Sequence, residues 1–107
     1  MRRLIIRYKV KPDRVGENEK LVRAVYEELH QARPAGFRYA TFRLDDGQTF
    51  VHLVSDEAGD GGNPLAGIAA FGRFSDDIAA RCEEPPQVTE MHEIGSYHLF
   101  GDETGAS

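Results

Sequence analysis

Four histidines and a single cysteine are the side chains best suited to proton transfer, metal binding or nucleophilic attack in this 107-residue chain. His52 lies between Val51 and Leu53 in an alternating apolar run. Imidazole titrates near working pH, so a histidine in such a setting can accept a proton or orient a substrate oxygen. His52 is therefore the candidate catalytic residue; its structural alternative is a hydrogen-bonded strand histidine. His92 and His98 share strand parity with Glu90, a ligand set that suits a transition metal. Six residues along one strand span roughly 20 Å, so the two imidazoles reach one ion only if the strand folds back or a second chain contributes. No metal site is expected. His30 falls late in a helix, where it complements the helix C-terminus. Cys82 continues a helical apolar stripe, and a buried thiol behaves as a small hydrophobe. Nucleophilic use would need an electropositive setting, and Arg81 points about 100° away around a helix.

The aromatic residues Tyr8, Tyr39, Phe50, Phe71 and Phe74 are the candidate lining of a pocket for a small, flat aromatic molecule. The same side chains could equally be spent on filling a core. Asp56, Glu57 and Asp60 fall in a Gly-rich loop, Asp56–Asn63, which lacks the position-by-position ligand pattern of a calcium loop. A solvated loop is expected, of a length that suits a lid over a pocket. No cofactor is implied by any motif.

Lys and Arg number 13 against 18 Asp and Glu, a net charge of −5. That balance argues against nucleic acid, whose phosphates require a cationic surface. Residues 48–55 read Gln-Thr-Phe-Val-His-Leu-Val-Ser, which is not the basic-aromatic signature of an RNA-recognition strand. A lone cysteine excludes an internal disulfide. No apolar run approaches the ~18 residues of a membrane span, and the apolar patch after Met1-Arg2-Arg3 is too short for a signal peptide. A cytoplasmic protein is expected. The length suits one domain, assigned to residues 1–100, with a flexible acidic tail over 101–107.

The elements that must position these residues follow from periodicity. Leu4, Ile6, Tyr8 and Val10 alternate with Arg3, Ile5, Arg7 and Lys9, a strand over Arg3–Val10 that Pro12 brings to an end. Val22, Val25, Tyr26 and Leu29 form one stripe of a helix over 14–33, with Asp13 as its cap and Pro34 and Gly36 as its stop. Strands over Phe37–Leu44 and Gln48–Ser55 flank Asp45-Asp46-Gly47, a hairpin signal because glycine takes the positive φ the turn demands. Asn63 and Pro64 open a second helix. Leu65, Ile68, Phe71, Phe74, Ile78 and Cys82 make its stripe, with a break expected near Gly72, Ser75 capping the second part, and Pro85-Pro86 closing it. The last strand is expected over Val88–Phe100.

This order, βαββαβ, predicts an α+β ferredoxin-like domain: a four-stranded antiparallel sheet with both helices on one face. Strands with apolar residues on both sides need cover on both sides. The chain has no third layer to offer, so a second copy packed sheet to sheet is expected.

The layout resembles the dimeric α+β barrel superfamily, which includes the antibiotic biosynthesis monooxygenase-type domains. The resemblance runs over about residues 3–100. It rests on the element order, the hairpin Asp45-Asp46-Gly47-Gln48-Thr49-Phe50 and the Ile94-Gly95-Ser96-Tyr97 segment. It implies a homodimer in which two sheets close into a barrel, and an activity among cofactor-independent oxygenation of polyphenols, haem degradation or none. The haem-degrading members use an Asn on the first strand, a Trp and a His on the second helix. This chain has no Trp, no Asn on its first strand and no His in 64–82. The resemblance therefore implies either a monooxygenase-like binder of small aromatic molecules or a non-catalytic interaction module.

Overall fold

The computed structural model describes residues 2–57 and 64–99. The expected loop through Asn63 and the tail 101–107 lie largely or wholly outside the described residues. Strand β1 (Arg2–Val10) leads through a 3₁₀ turn (Pro12–Arg14) into helix α1 (Val15–Ala32). Strands β2 (Phe37–Arg43) and β3 (Thr49–Asp56) form the hairpin. A second 3₁₀ turn (Pro64–Gly67), helix α2 (Ala69–Asp76) and a single helical turn α3 (Ile78–Arg81) precede strand β4 (Cys82–Glu90). The sheet order is β2-β3-β1-β4 with every neighbouring pair antiparallel, the ferredoxin-like arrangement.

The hairpin is locked by Asp46, whose carboxylate accepts from the backbone N–H of Gln48 (2.9 Å) and Thr49 (2.8 Å) and from the Thr49 hydroxyl. These bonds to the charged form hold the Asp46 carboxyl down at about 2. Gly47 has φ +75°, the left-handed geometry its position requires. Helix α1 ends where Arg33 turns left-handed and its N–H returns to the Leu29 carbonyl at 2.8 Å.

The structure departs from the sequence reading in three places. The 3₁₀ turn before α1 replaces the expected Asp13 cap, and no side chain caps that helix. The helix runs through Gly72 and breaks at Asp77 instead, so Ser75 lies inside α2 and is not a cap. Glycine in a helix interior costs only about 1 kcal/mol, which the packing of Phe71 and Phe74 offsets. The third departure is the largest. Pro85 and Pro86 do not close a helix; they lie within β4, which starts at Cys82 rather than Val88 and ends at Glu90. β4 is an edge strand, and edges and bulges are where a sheet tolerates proline. Between the pairs Arg7↔Gln87 and Lys9↔Glu84, β4 carries one more residue than β1, a bulge at the two prolines. Residues 91–99 continue without regular structure, tied to β1 by the Met91 N–H on the Arg3 carbonyl at 2.8 Å.

Register decides which parity faces the helices. The pairs Tyr8↔Phe50, Ile6↔His52, Thr41↔His52 and Tyr39↔Val54 place these residues on one face. Tyr8, Val10 and Phe50 pack there against Val22, Val25 and Phe74 from α1 and α2. The opposite face carries Ile5, Ala40, Val51 and Leu53, all half-buried, and Phe42, which is 53% exposed. The pairs Ile5↔Leu53, Ala40↔Leu53 and Phe42↔Val51 make these five one contiguous apolar patch.

Candidate functional site

Between the helix-facing side of the sheet and α2 lies a cavity of about 400 Å³. Its floor is built by strand alternation: Leu4, Ile6 and Tyr8 from β1, Phe37 and Tyr39 from β2, and His52 and Val54 from β3. Its roof is built by helical spacing, Phe71, Phe74 and Ile78, with Leu65 from the 3₁₀ turn. α2 is held over the sheet by Glu28 of α1, whose carboxylate accepts from the N–H of Ala70 (2.7 Å) and Ala69 (3.2 Å). Ile68 at the N-cap position has no side-chain oxygen to do so, and a carboxylate suits a helix N-terminus.

The polar group of the cavity is centred on His52, which is 3% exposed. Its Nε2 lies 2.7 Å from the Tyr8 hydroxyl and its Nδ1 2.5 Å from the Tyr39 hydroxyl. Thr41 Oγ1 lies 3.3 Å from the same Nδ1 and 2.8 Å from the Tyr26 hydroxyl. Both ring nitrogens are thus engaged by protein groups. Burial lowers the His52 pKa to about 4, so the ring is neutral at physiological pH. Burial raises the phenols of Tyr8 and Tyr39 above their usual range, so both keep their protons.

Two further residues belong to this group. Asn18 of α1 is fully buried and donates from Nδ2 to the Tyr8 hydroxyl at 3.0 Å. Arg81 of α3 is also fully buried; its Nε donates to Asn18 Oδ1 at 3.1 Å and another guanidinium nitrogen donates to the Phe74 carbonyl at 2.7 Å. Its guanidinium carbon stands 5.2 Å from the centre of the Phe74 ring, a cation–π contact. Sequence reasoning passed over both. One signal was available: Asn18 precedes Val22, Val25 and Leu29 at helical spacing, a polar residue on an apolar stripe. Nothing local marks Arg81, whose partner is 63 positions away.

Of the aromatic candidates, Tyr8, Tyr39, Phe71 and Phe74 line the cavity beside His52. Phe50 does not; it stacks on the far side of Tyr8, ring centres 5.6 Å apart and planes within 8°. Cys82 is buried at the start of β4, and burial raises its thiol pKa despite nearby Arg81, the setting of an inert cysteine. His30, His92 and His98 are exposed, and none of them lines the cavity. Among the described residues no three His, Cys, Asp or Glu side chains gather as a metal site, and no helix is long and apolar enough to cross a membrane.

No protein-family model matches the sequence, and no curated protein sequence matches it. Solved structures do match. The crystal structure of an antibiotic biosynthesis monooxygenase superposes with a TM-score of 0.70 at 20% identity, covering 89% of this chain and 100% of that one. Rv0793 from Mycobacterium tuberculosis gives 0.66 at 17% identity, covering 89% and 96%. A variant of SnoaB, a cofactor-independent oxygenase from Streptomyces nogalater, gives 0.63 at 16% identity, covering 89% and 94%. The chain has the ferredoxin-like α+β fold of the antibiotic biosynthesis monooxygenase-like proteins. At these identities the likeness is one of fold, and function must be argued from the site.

Proposed function

We propose that this protein is a homodimer that binds a small, flat aromatic molecule in the cavity between sheet and α2. The carrying observation is the cavity itself. Its volume of about 400 Å³ falls in the range of small-molecule sites, and its mostly apolar walls surround the buried Tyr8–His52–Tyr39 set, with Arg2, Asp56 and Ser75 as the other polar side chains of the lining. In this reading His52 acts by holding the two phenols in place, since neither ring nitrogen is free to meet a ligand. The second copy covers the Ile5, Ala40, Phe42, Val51 and Leu53 face, in an interface of order 2,000 Å² or more.

Structural likeness to a cofactor-independent oxygenase favours a second, stronger reading, in which the bound molecule is also oxygenated. That reaction needs no cofactor when the substrate supplies the electrons. An activated methylene takes up O₂, one oxygen atom becomes a ketone and the other leaves as water.

A thermal-shift panel of flat aromatics tests the binding claim on the wild type and on Val54→Phe, which fills the cavity from its floor. Stabilisation of the wild type and its loss in the variant are expected. A ligand that stabilises both equally binds elsewhere and defeats the reading. Oxygen uptake with an activated methylene substrate separates oxygenase from binder.

A further inference from the structure

We propose that Asn18 and Arg81 fix the direction of a buried hydrogen-bond relay that ends at Tyr39 as a proton donor, so that the cavity selects ligands bearing an acceptor oxygen. The proposal rests on the reading of the cavity as a ligand site and adds what that ligand must carry.

The direction follows from donor and acceptor bookkeeping. A guanidinium has donors only. Arg81 Nε therefore donates to Asn18, whose carbonyl oxygen must face it. The Asn18 amide nitrogen is left to face Tyr8, and it too can only donate. The Tyr8 oxygen accepts that bond, and its own proton needs an acceptor. Tyr8 is buried, and the remaining partner beside its hydroxyl is His52 Nε2. Nε2 must be the unprotonated nitrogen, because the opposite tautomer would leave the Tyr8 proton buried without a partner. A neutral imidazole carries one proton, which then resides on Nδ1 and is donated to the Tyr39 oxygen. Every step runs the same way, from Arg81 to Tyr39.

The consequence falls on Tyr39, which lines the cavity. Its hydroxyl cannot donate to His52, because Nδ1 already holds a proton. Its own proton is left to the neighbouring Thr41 hydroxyl or to an acceptor in the cavity. A ketone or quinone oxygen satisfies it. Were the relay reversed, Tyr39 would spend its proton on Nδ1, and an oxygen beside it would lose that donor; the other donor side chains of the lining are Arg2 and Ser75. Asn18 and Arg81 are positioning residues in this scheme; Tyr39 is the residue that touches the ligand.

One substitution should reverse the relay. Asn18→Asp is nearly isosteric and gives Arg81 a carboxylate partner. The new carboxylate accepts only, so Tyr8 must turn its proton toward it. Nε2 then donates to Tyr8, and Nδ1 accepts from Tyr39. Long-range proton–nitrogen NMR on full-length protein with ¹⁵N-labelled histidine reads the His52 tautomer, assigned by its loss in His52→Gln. The wild type should show a protonated Nδ1, and Asn18→Asp a protonated Nε2. Calorimetry with fluorenone and fluorene reads the donor, since the pair differs by one carbonyl. The wild type should prefer fluorenone about five- to tenfold, the worth of one hydrogen bond. Asn18→Asp and Tyr39→Phe should bind the two equally.

A protonated Nε2 in the wild type overturns the relay, and that result does not depend on Asn18→Asp folding. So does an unchanged tautomer in Asn18→Asp, or equal binding of the two probes by the wild type; in these cases the cavity reading survives. Binding of neither probe by the wild type removes the cavity reading and the selectivity with it.

Discussion

The two faces of the sheet use apolar side chains in opposite ways. The face under the helices is closed, and it contains polar groups: His52, Asn18, Arg81 and two phenols, linked in one chain of hydrogen bonds. The other face is almost purely apolar at its centre, and Phe42 stands half exposed on it. Burying a polar group without a partner is expensive, and in this chain one guanidinium nitrogen of Arg81, Nη1, is buried without a partner. An open apolar patch has the converse problem and is removed from water by association. On the proposed reading, the first face receives a small molecule and the second another protein surface.

The sharpest break between them is a pair of phenylalanines. Phe74 is buried against Tyr8, His52, Phe71 and Arg81. Phe74→Ala should cost about 3–5 kcal/mol in chemical denaturation. Phe42→Glu should leave the far-ultraviolet circular dichroism intact while shifting the sedimenting species from dimer to monomer. A Phe42→Glu protein that stays dimeric would remove the outer face as the interface.

The next largest effect is a pH dependence confined to the inner face. His52 has a folded-state pKa of about 4 against 6.5 in the unfolded chain. The unfolded state takes up the proton first, so this contribution is complete above pH 6.5 and is lost as pH falls toward 4. The loss is on the order of 3 kcal/mol. Denaturant unfolding of the wild type between pH 7 and pH 4 should show it, and His52→Gln should be flatter over the same window. The depressed carboxyls of Asp46, Glu17 and Glu93 act at lower pH, below their ordinary values. Equal slopes in both proteins would mean that His52 is hydrated in the folded state.

The smallest expected effects lie away from both faces, at two glycines with open space around the missing Cβ. Gly47 has a positive φ, and Gly47→Val should cost about 1–3 kcal/mol through backbone strain alone. Gly72 lies inside α2, and Gly72→Ala should raise stability by up to about 1 kcal/mol. Thermal or denaturant melts of the two variants check both signs.

Much of this was legible in the sequence where the signal is local. The alternation of β1, the stripe of α1 and the Asp45-Asp46-Gly47 turn each follow from a few adjacent residues. The expected order βαββαβ is the observed one. The start of β4 was not legible. Cys82 continues the helical spacing of Leu65 to Ile78, and Pro85-Pro86 reads as a terminator unless the strand is known to be an edge. Edge position belongs to the sheet order, which no local window contains. Nor could periodicity tell which parity faces the helices, because both are apolar. Partner chemistry resolves that: the phenols of Tyr8 and Tyr39 and the imidazole of His52 satisfy one another across three strands. The same limit hid Asn18 and Arg81, whose roles exist only once α1 and α3 meet.

A methyl NMR titration with fluorenone tests the division between the faces most directly, because isoleucine, leucine and valine report from both. Shift changes are expected at Leu4, Ile6, Val54 and Ile78, around the cavity, with Ile5, Val51 and Leu53 unmoved. Changes centred on Ile5, Val51 and Leu53, with the cavity methyls silent, would contradict the account.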